Sequence, residues 1–431
     1  MKNQQAYSFQ NWGENIVHTT PNYFQPETEE ELINIIRTHN KIRVVGSGHS
    51  WSDICVSDDT LINLDKYQRV ISINRETQLV QVQAGIKLYQ LNEQLVRRNL
   101  ALENLGSIDQ QSISGAISTG THGTGIGFQI LGSMLVEFTL ILADGSKLVV
   151  NKEKDPDLYH ATIVNLGCLG VISEVTLKAV AAFRLHDHTT TLPFDQVIQN
   201  LDHYLKKNDH FKLWWLPPTK DIVVYQYQRT QEPANDSRIR RYLKDEVFSV
   251  AAYRSLVFMA KKSPGLATSI NKLLTNQMKG PLDRIEDSYK VYIVPEPPKH
   301  VETEWAFDVA DASNILKAYR DLIVNHRYKM NFIQEIRFSQ KDSFWLSPSQ
   351  GRDTMWIGLY CFKHEKWNEI LPVFEEFAQK HGGRPHWGKI FNTDKDYLQK
   401  QYPNYHKFIE LKNKLDPQQK FTNAYIERLF E

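Results

Sequence analysis

The sequence predicts an α+β protein of two domains, on three observations. The chain of 431 residues is longer than one hydrophobic core usually supports. Its first stretch, to about residue 180, reads as many short strands with few helices. After Leu177-Lys178-Ala179-Val180 the texture changes: Trp214, Trp215, Tyr225 and Tyr227 crowd together, and Pro217-Pro218 and Pro295-Glu296-Pro297-Pro298 punctuate the chain. A second α+β domain is therefore expected to begin near residue 181.

The elements follow in order. Thr28-Glu29-Glu30-Glu31 has the form of a capping box, in which a threonine hydroxyl and a glutamate three residues on satisfy the first free N–H groups of a helix. Leu32, Ile33, Ile35 and Ile36 give that helix an apolar face through about Arg37. Ile42-Arg43-Val44-Val45 reads as a strand stopped by Gly46-Ser47-Gly48. Leu61 to Leu64, Val70 to Ile73 and Leu79 to Val82 read as further short strands. A helix is expected from about Leu88 to Arg98, with Leu91 and Leu95 on one face. Val136 to Leu142 alternates into Asp144-Gly145, a hairpin signal, and Lys147 to Val150 returns. There is no solenoid or propeller period and no low-complexity segment.

Composition narrows the function classes. Lys and Arg total 51 against 50 Asp and Glu, a formal net charge of +1, with 41% hydrophobic and 23% charged residues. That balance suits a soluble globular protein and lacks the basic excess of a dedicated nucleic-acid binder. Small-molecule chemistry is the default. Cys55, Cys168 and Cys361 are too few and too far apart for a disulfide framework or a CxxC metal site. They fit a reducing compartment, with a single disulfide left open. The start, Met1-Lys2-Asn3-Gln4-Gln5, leads into polar residues without an apolar signal core. The most apolar stretch, Val247 to Ala260, is 14 residues long and contains Arg254, short of the about 20 that span a membrane. It reads as a core or cap helix with a snorkelling arginine, or else as an interfacial helix.

Two glycine-rich segments carry most of the functional information. Val45-Gly46-Ser47-Gly48-His49-Ser50 follows a strand. Glycines let backbone N–H groups close on a phosphate. A Rossmann dinucleotide site is excluded, because the third glycine of GxGxxG would fall at Trp51 and no helical period follows. A bare GxG equally marks a tight turn. The second segment runs from Gly106 to Gly125, GSIDQQSISGAISTGTHGTG. A solvent-facing loop needs no such restriction to small side chains, whereas backbone lying against a large polar ligand does. Its hydroxyls and N–H groups can meet phosphate without positive charge; the plainer reading is a Gly/Ser-rich core turn.

Together with Leu166-Gly167-Cys168-Leu169-Gly170-Val171-Ile172, these segments resemble the PCMH-type FAD-binding domain of the vanillyl-alcohol oxidase flavoprotein superfamily. The likeness is to its aldonolactone oxidase and alditol oxidase branch. It extends through Glu335-Ile336-Arg337, Leu346-Ser347-Pro348, Gly351-Arg352-Asp353-Thr354, Arg384-Pro385-His386-Trp387-Gly388-Lys389 and Leu415-Asp416-Pro417 to Asn423-Ala424-Tyr425. Several motifs in register over nearly the whole chain are more specific than any one alone.

The resemblance implies an FAD-binding domain at about 1–180, a substrate-binding cap domain at 181–389 and a C-terminal segment at 390–431 that returns to the FAD domain. It implies that the flavin 8α carbon is bonded to His49, with further FAD contacts at Val45, Gly46, Ser47, Gly48, Ser50, Ser107, Ser112, Gly115, Thr119, Gly120, Thr121, His122 and Ile172. His122 matches a non-covalent contact, and Cys168 does not match the cysteine of bicovalently flavinylated relatives. Carried-over catalytic positions are Glu335, Arg337 and Lys389. Being two apart, Glu335 and Arg337 share one face of a strand; alone they would read as an exposed ion pair worth less than about 1 kcal/mol, and the HWGK motif shifts that reading toward catalysis. Lys389 is expected to face the flavin N1–C2=O end as a cation, Arg337 to polarise the substrate hydroxyl, and Glu335 to bind substrate hydroxyls. The group that takes the hydroxyl proton stays undetermined, a deprotonated Lys389 being one candidate. Gly106, just before Ser107, lacks the side chain that restricts oxygen in dehydrogenase relatives, which implies an oxidase that releases hydrogen peroxide.

The implied substrate is an aldono-1,4-lactone (L-gulono-, L-galactono- or D-arabinono-), oxidised to ascorbate or an ascorbate-like enediol. The alternatives are an alditol oxidase, an aldonolactone dehydrogenase with another acceptor, and a catalytically idle flavin binder. Tyr360 falls where alditol-oxidase-like sequences carry threonine, which weighs against linear polyols. The tail from Tyr402-Pro403 to Phe430 resembles gulonolactone oxidases. So does the insertion around 247–275, which accompanies membrane association in animal relatives. With Arg254, Lys261 and Lys262 it is less apolar here, so a soluble, cytoplasmic protein is expected. His186-Asp187-His188 reads as solvated rather than as a metal site. No motif fixes an oligomeric state.

Overall fold

The computed structural model describes residues 6–235, 255–256, 258–259, 262–294, 297–326, 328, 330, 332–362 and 366–431. Most of the apolar stretch from Val247 to Ala260 lies outside them. Half of the capping box forms: Thr28 starts helix α1 (Glu29–Thr38), its hydroxyl accepting from the Glu31 N–H at 3.2 Å, while the Glu31 carboxylate accepts from the Glu27 N–H at 2.8 Å, one residue before the Thr28 N–H that the box would use. Such a cap contributes about 1 kcal/mol. Leu32, Ile35 and Ile36 are buried, as the periodicity predicts.

The first lobe is built on two main sheets, beside two two-stranded ones that pair Tyr7–Gln10 with Val17–Thr20 and Leu100–Ala101 with Val180–Ala181. Strands β1 (Asn22–Phe24), β2 (Ile42–Val45) and β3 (Thr60–Asn63) pair in parallel in the order β1-β3-β2. Strands β4 (Val70–Asn74), β5 (Leu79–Gln83), β6 (Leu135–Ile141), β7 (Lys147–Asn151) and β8 (Val171–Lys178) form an antiparallel sheet in the order β7-β6-β8-β5-β4. The expected hairpin is β6–β7, closed at Gly145 with φ +78°, backbone that glycine adopts without strain. Helix α2 (Leu88–Val96) buries Leu88, Leu91 and Leu95. The segment 106–125 is not extended throughout: Ser112 caps a short helix α3 (Ile113–Ser118), accepting from the Gly115 N–H.

The second lobe is one antiparallel sheet of eight strands. They are β9 (Arg184–Pro193), β10 (His210–Trp215), β11 (Asp221–Thr230), β12 (Leu282–Asp287), β13 (His300–Asp308), β14 (Gln334–Ser339), β15 (Thr354–Phe362) and β16 (Arg384–Pro385), in the order β12-β9-β11-β10-β14-β15-β13-β16. Side chains alternate across a strand, so the sheet has two faces. On one, Trp215 packs on Phe194 of α4 (Phe194–Gln199) and on Tyr319 of α5 (Ala312–Asn325), and Phe307 meets Phe377 of α6 (Trp367–Lys380). That face is aromatic and helix-covered, each fully buried large side chain stabilising by about 1.5–3 kcal/mol.

The other face is polar and turns toward the first lobe. The register sets Trp214 opposite Glu335, Arg337 opposite Trp356 and Glu302 opposite Tyr360, with Gly358 opposite both Glu335 and Glu304. A Cβ on Gly358 would stand 2.8 Å from the Tyr360 ring, so the missing side chain is what lets that ring lie down between the acids. The C-terminal helices Lys395–Gln401, Tyr405–Leu415 and Ala424–Phe430 follow, and the segment returns to the first lobe: the Ile42 N–H donates to Lys420 O at 2.8 Å, Arg43 donates to Phe421 O at 2.5 Å and Asn423 donates to Val56 O at 2.8 Å. The three cysteines are buried and form no disulfide. No helix among the described residues is long and apolar enough to cross a membrane.

Candidate active site

A cleft opens along the first lobe. Val45, Gly46, Ser47, Gly48, His49 and Ser50 line one side, and Ser112, Gly115, Thr119 and Ile172 line another, together with Gln111, Ser114, Ser118, Leu166, Gly167 and Gly170. A Cβ on Gly46 would stand 2.3 Å from Ser112 Oγ, and Gly48 holds φ +67°; here the two glycines are required for the loop to approach α3. Ser47 Oγ donates to Gln110 O. Arg43 is the one lysine or arginine in the lining, and its guanidinium is bound by the carbonyls of Ile54, Leu166 and Phe421. Backbone N–H groups and hydroxyls therefore remain to meet phosphate. The wall fits the pyrophosphate of FAD by the nest chemistry read from the sequence.

The other predicted residues stand outside this lining, and Ser107 and His122 among them meet the polar sheet face. The hydroxyl of Ser107 reaches Glu335 Oε1 at 3.5 Å. Thr121 accepts from Gln111, and Gly120 holds φ +77°. An added Cβ on Gly106 would stand 3.4 Å from His122 O and 3.6 Å from the Thr121 methyl. His122 does not line the cleft. It is buried, stacked on Trp356 with ring centroids 3.7 Å apart, and its Nε2 lies 3.3 Å from Glu304 Oε1.

On the sheet face, Glu335 and Arg337 are not the exposed pair their spacing alone suggests. They are 4% and 8% exposed, with Arg337 Nε 3.3 Å from Glu335 Oε2. Glu335 also accepts from Trp214 Nε1 at 2.9 Å, from the Tyr360 hydroxyl at 3.1 Å and from Lys212 Nζ at 3.3 Å. Burial opposes its charge, but Arg337 and Lys212 outweigh it and hold the carboxyl down at about 2. Burial opposes the charge of Glu304 too, and Arg337 and then His122 hold its carboxyl well below the usual range. Burial pushes His386 and His122 toward the neutral form. His122, Glu304 and His386 bring one donor atom each within 4.8 Å of one another, and the cation this carboxylate already holds is the Arg337 guanidinium at 3.2 Å.

Lys389 reaches the face from the other side. Its Nζ meets a carboxylate oxygen of Glu302 and lies 4.3 Å from the Trp51 ring centre. The Trp51 N–H donates to Gly388 O at 2.8 Å, and Ser52 Oγ donates to Trp387 O at 3.0 Å. The loop carrying His49 is thereby tied by one backbone bond and one serine hydroxyl to the segment carrying Lys389. His49 stacks on Trp12 at 5.6 Å, and Trp12 meets Trp51 edge-on at 5.9 Å. His49, Glu335, Arg337, Tyr360 and Lys389 thus border one seam between the lobes, the usual location of a ligand site.

Sequence reasoning missed Lys212, Trp214, Glu302, Glu304 and Trp356. A signal was present in Val301-Glu302-Thr303-Glu304-Trp305. Two acids on one side of an otherwise apolar strand are costly unless paired, so their period of two marks a built polar face.

The same architecture occurs in solved cholesterol oxidases. The cholesterol oxidase of B. sterolicum superposes with a TM-score of 0.83 over 99% of this chain and 97% of its own at 16% identity, which establishes the fold. An FAD-binding-domain model matches residues 21–151, so the class is a two-lobed FAD-binding protein. The model of the D-arabinono-1,4-lactone oxidase family matches residues 175–429, and the chain belongs to that family. Among its relatives, an L-gulono-1,4-lactone dehydrogenase of Mycobacterium tuberculosis is 33% identical over 97% of this chain and 98% of its own length. An L-gulonolactone oxidase of Mus musculus is 32% identical over 98% of each.

Proposed function

We propose that this chain is an FAD-dependent aldonolactone oxidase. It oxidises the hydroxyl next to the lactone carbonyl of a sugar such as L-gulono-, L-galactono- or D-arabinono-1,4-lactone, with molecular oxygen as acceptor and hydrogen peroxide as product. The observation that carries this reading is the convergence of Glu335, Arg337 and Lys389 on one buried face of a chain matched end to end by lactone-named relatives. FAD, when bound, takes the hydride from the carbinol carbon.

The chain's own groups do the rest. Arg337, held between Glu335 and Glu304, is fixed in advance to bind the hydroxyl oxygen as negative charge builds, the arrangement that stabilises a transition state without reorganisation. Glu335, a firm acceptor at any neutral pH, orients substrate hydroxyls with Ser107 and Tyr360 beside it. Lys389 supplies a second cation. In this reading His49 forms the 8α link to the flavin. The chain divides into an FAD-binding domain at about 1–180, a cap domain at 181–389 and a returning segment at 390–431. Near-neutral net charge and three cysteines outside any disulfide support a soluble cytoplasmic enzyme with no nucleic-acid partner.

A second reading, a lactone dehydrogenase using another acceptor, draws support from the name of the Mycobacterium tuberculosis relative. The absence of a side chain at Gly106 favours oxygen. A panel of lactones and alditols, scored for anaerobic bleaching and for peroxide, decides. Bleaching by lactones with peroxide on aeration is expected. Bleaching by alditols alone overturns the substrate, and bleaching by lactones without peroxide overturns the acceptor.

A further inference from the structure

Glu302 stands apart from the other acids of the face. Glu335 and Glu304 are each bound by several donors and held as carboxylates. Glu302 is 1% exposed, and one of its oxygens meets Lys389 Nζ while the other, Oε1, is buried without a hydrogen-bond partner. A buried oxygen left without a donor is expensive; here it lies on the face that carries Glu335 and Arg337. The charged and titratable groups around it are Lys389 from the C-terminal side, Tyr360 opposite it on β15, Arg337 from β14, and Glu304 and His300 on its own strand.

We propose, resting on the lactone-oxidation reading, that Glu302 is the terminal acceptor of the substrate hydroxyl proton, reached through Lys389. The Lys389 ammonium gives a proton to Glu302, and the Nζ lone pair so freed takes the substrate proton as the O–H bond breaks. Lys389 keeps its charge, and Glu302 ends as the neutral acid. The C–H electron pair leaves with its hydrogen as hydride to FAD, the carbinol becomes a carbonyl, and the two electrons lost by the substrate are those FAD accepts. Among the three acids the assignment falls on Glu302 because it alone is suited to hold a proton near neutrality. Burial raises its carboxyl to about 7 against the pull of Lys389, with Glu304 adding to the rise, whereas Glu335 sits at about 2. A base serves best when its own ionisation lies near the working pH.

The test uses the holoenzyme and its Glu302→Gln, Glu302→Asp and Asp342→Asn variants. Infrared titration of the resting enzyme is expected to show a protonated carboxyl band lost with a midpoint of about 7. The band should fall to the Asp342 share in Glu302→Gln and to the Glu302 share in Asp342→Asn, since Asp342 is the other carboxyl raised to about 7. Retention of the full band in Glu302→Gln overturns the proposal. In anaerobic mixing with L-gulono-1,4-lactone, Glu302→Gln should reduce flavin about 10²-fold more slowly, with Glu302→Asp recovering part of the rate. An unchanged rate and pH profile overturns the proposal while the lactone reading stands. Wild-type protein that no lactone bleaches ends the lactone reading instead, and with it the role of Glu302. Should Glu302→Gln not fold, wild-type reduction that stays flat through about pH 7 overturns the proposal.

Discussion

Arg337 Nη2 lies 3.2 Å from Glu304 Oε1, with both side chains buried between the lobes. Arg337 thereby has an acid on either side, Glu335 from its own strand and Glu304 from β13. The pair crosses the intervening strand β15, where Gly358 supplies no side chain to block it. Breaking a buried pair from one side leaves an uncompensated charge. Glu304→Gln is therefore expected to destabilise the protein by about 3 kcal/mol and to free the Arg337 guanidinium from its fixed direction. Guanidinium-induced unfolding gives the first quantity and anaerobic flavin reduction the second. An unchanged unfolding midpoint would show that Glu335 alone neutralises Arg337.

Lys389 carries the second cation of the seam, and Glu302 together with the Trp51 ring fixes where it points. Lys389→Met keeps the stem and removes the charge. It should slow flavin reduction by about 10²–10³-fold, the scale of losing one preorganised electrostatic group, with FAD still bound. Stopped-flow absorbance under argon measures both; reduction at the wild-type rate removes Lys389 from the chemistry.

The parts of this site that the sequence made legible share a cause. Gly46, Gly48 and the small residues from Ser112 to Thr119 are where backbone must approach backbone or ligand, so composition records the constraint at each position. Glu335 and Arg337 were legible as a same-face pair because a strand has period two. Their burial was not, since it is produced by Ser107, Trp214 and Glu304, which reach them across other strands and the other lobe. Lys212 and Glu302 were missed for the same reason. Each looks like an ordinary charged residue until the register sets it beside a partner more than 80 positions away.

The depressed carboxyl of Glu335 has a stability consequence of definite sign. Its ordinary value is 4.5 and its folded value about 2. The folded state holds fewer protons than the unfolded chain between these values, so the contribution is complete above about 4.5 and is lost as pH falls toward about 2. The stability gap between wild type and Glu335→Gln should be widest near neutrality and shrink across that acid window. Urea unfolding at a series of pH values checks it, and a gap that is constant with pH means the carboxylate is not held down.

His49 lines the cleft beside the Trp12 ring, on the loop tied by Trp51 to Gly388. A covalent tether predicts that acid-precipitated wild-type protein stays yellow, whereas His49→Ala releases its flavin into the supernatant. Absorbance of the two fractions is the measurement. Yellow supernatant from the wild type would falsify the tether while leaving FAD binding intact.

On the proposed oxidase reading, Gly106 separates the acceptor from the rest of the chemistry. A Cβ there meets His122 O at 3.4 Å and the Thr121 methyl at 3.6 Å, ordinary to slightly tight contacts, so Gly106→Ala fits the fold without displacing Ser107. Its methyl adds bulk beside the segment that faces Glu335, where oxygen would approach. The variant should therefore keep its rate of flavin reduction by lactone but reoxidise in air at least about 10-fold more slowly, a barrier difference of about 1.4 kcal/mol. Separate reductive and oxidative half-reactions distinguish the two steps. If both stay at wild-type rates, the route of oxygen does not pass residue 106. If both fall together, the added methyl has moved Ser107 or Glu335, and the selectivity for oxygen lies elsewhere in the seam.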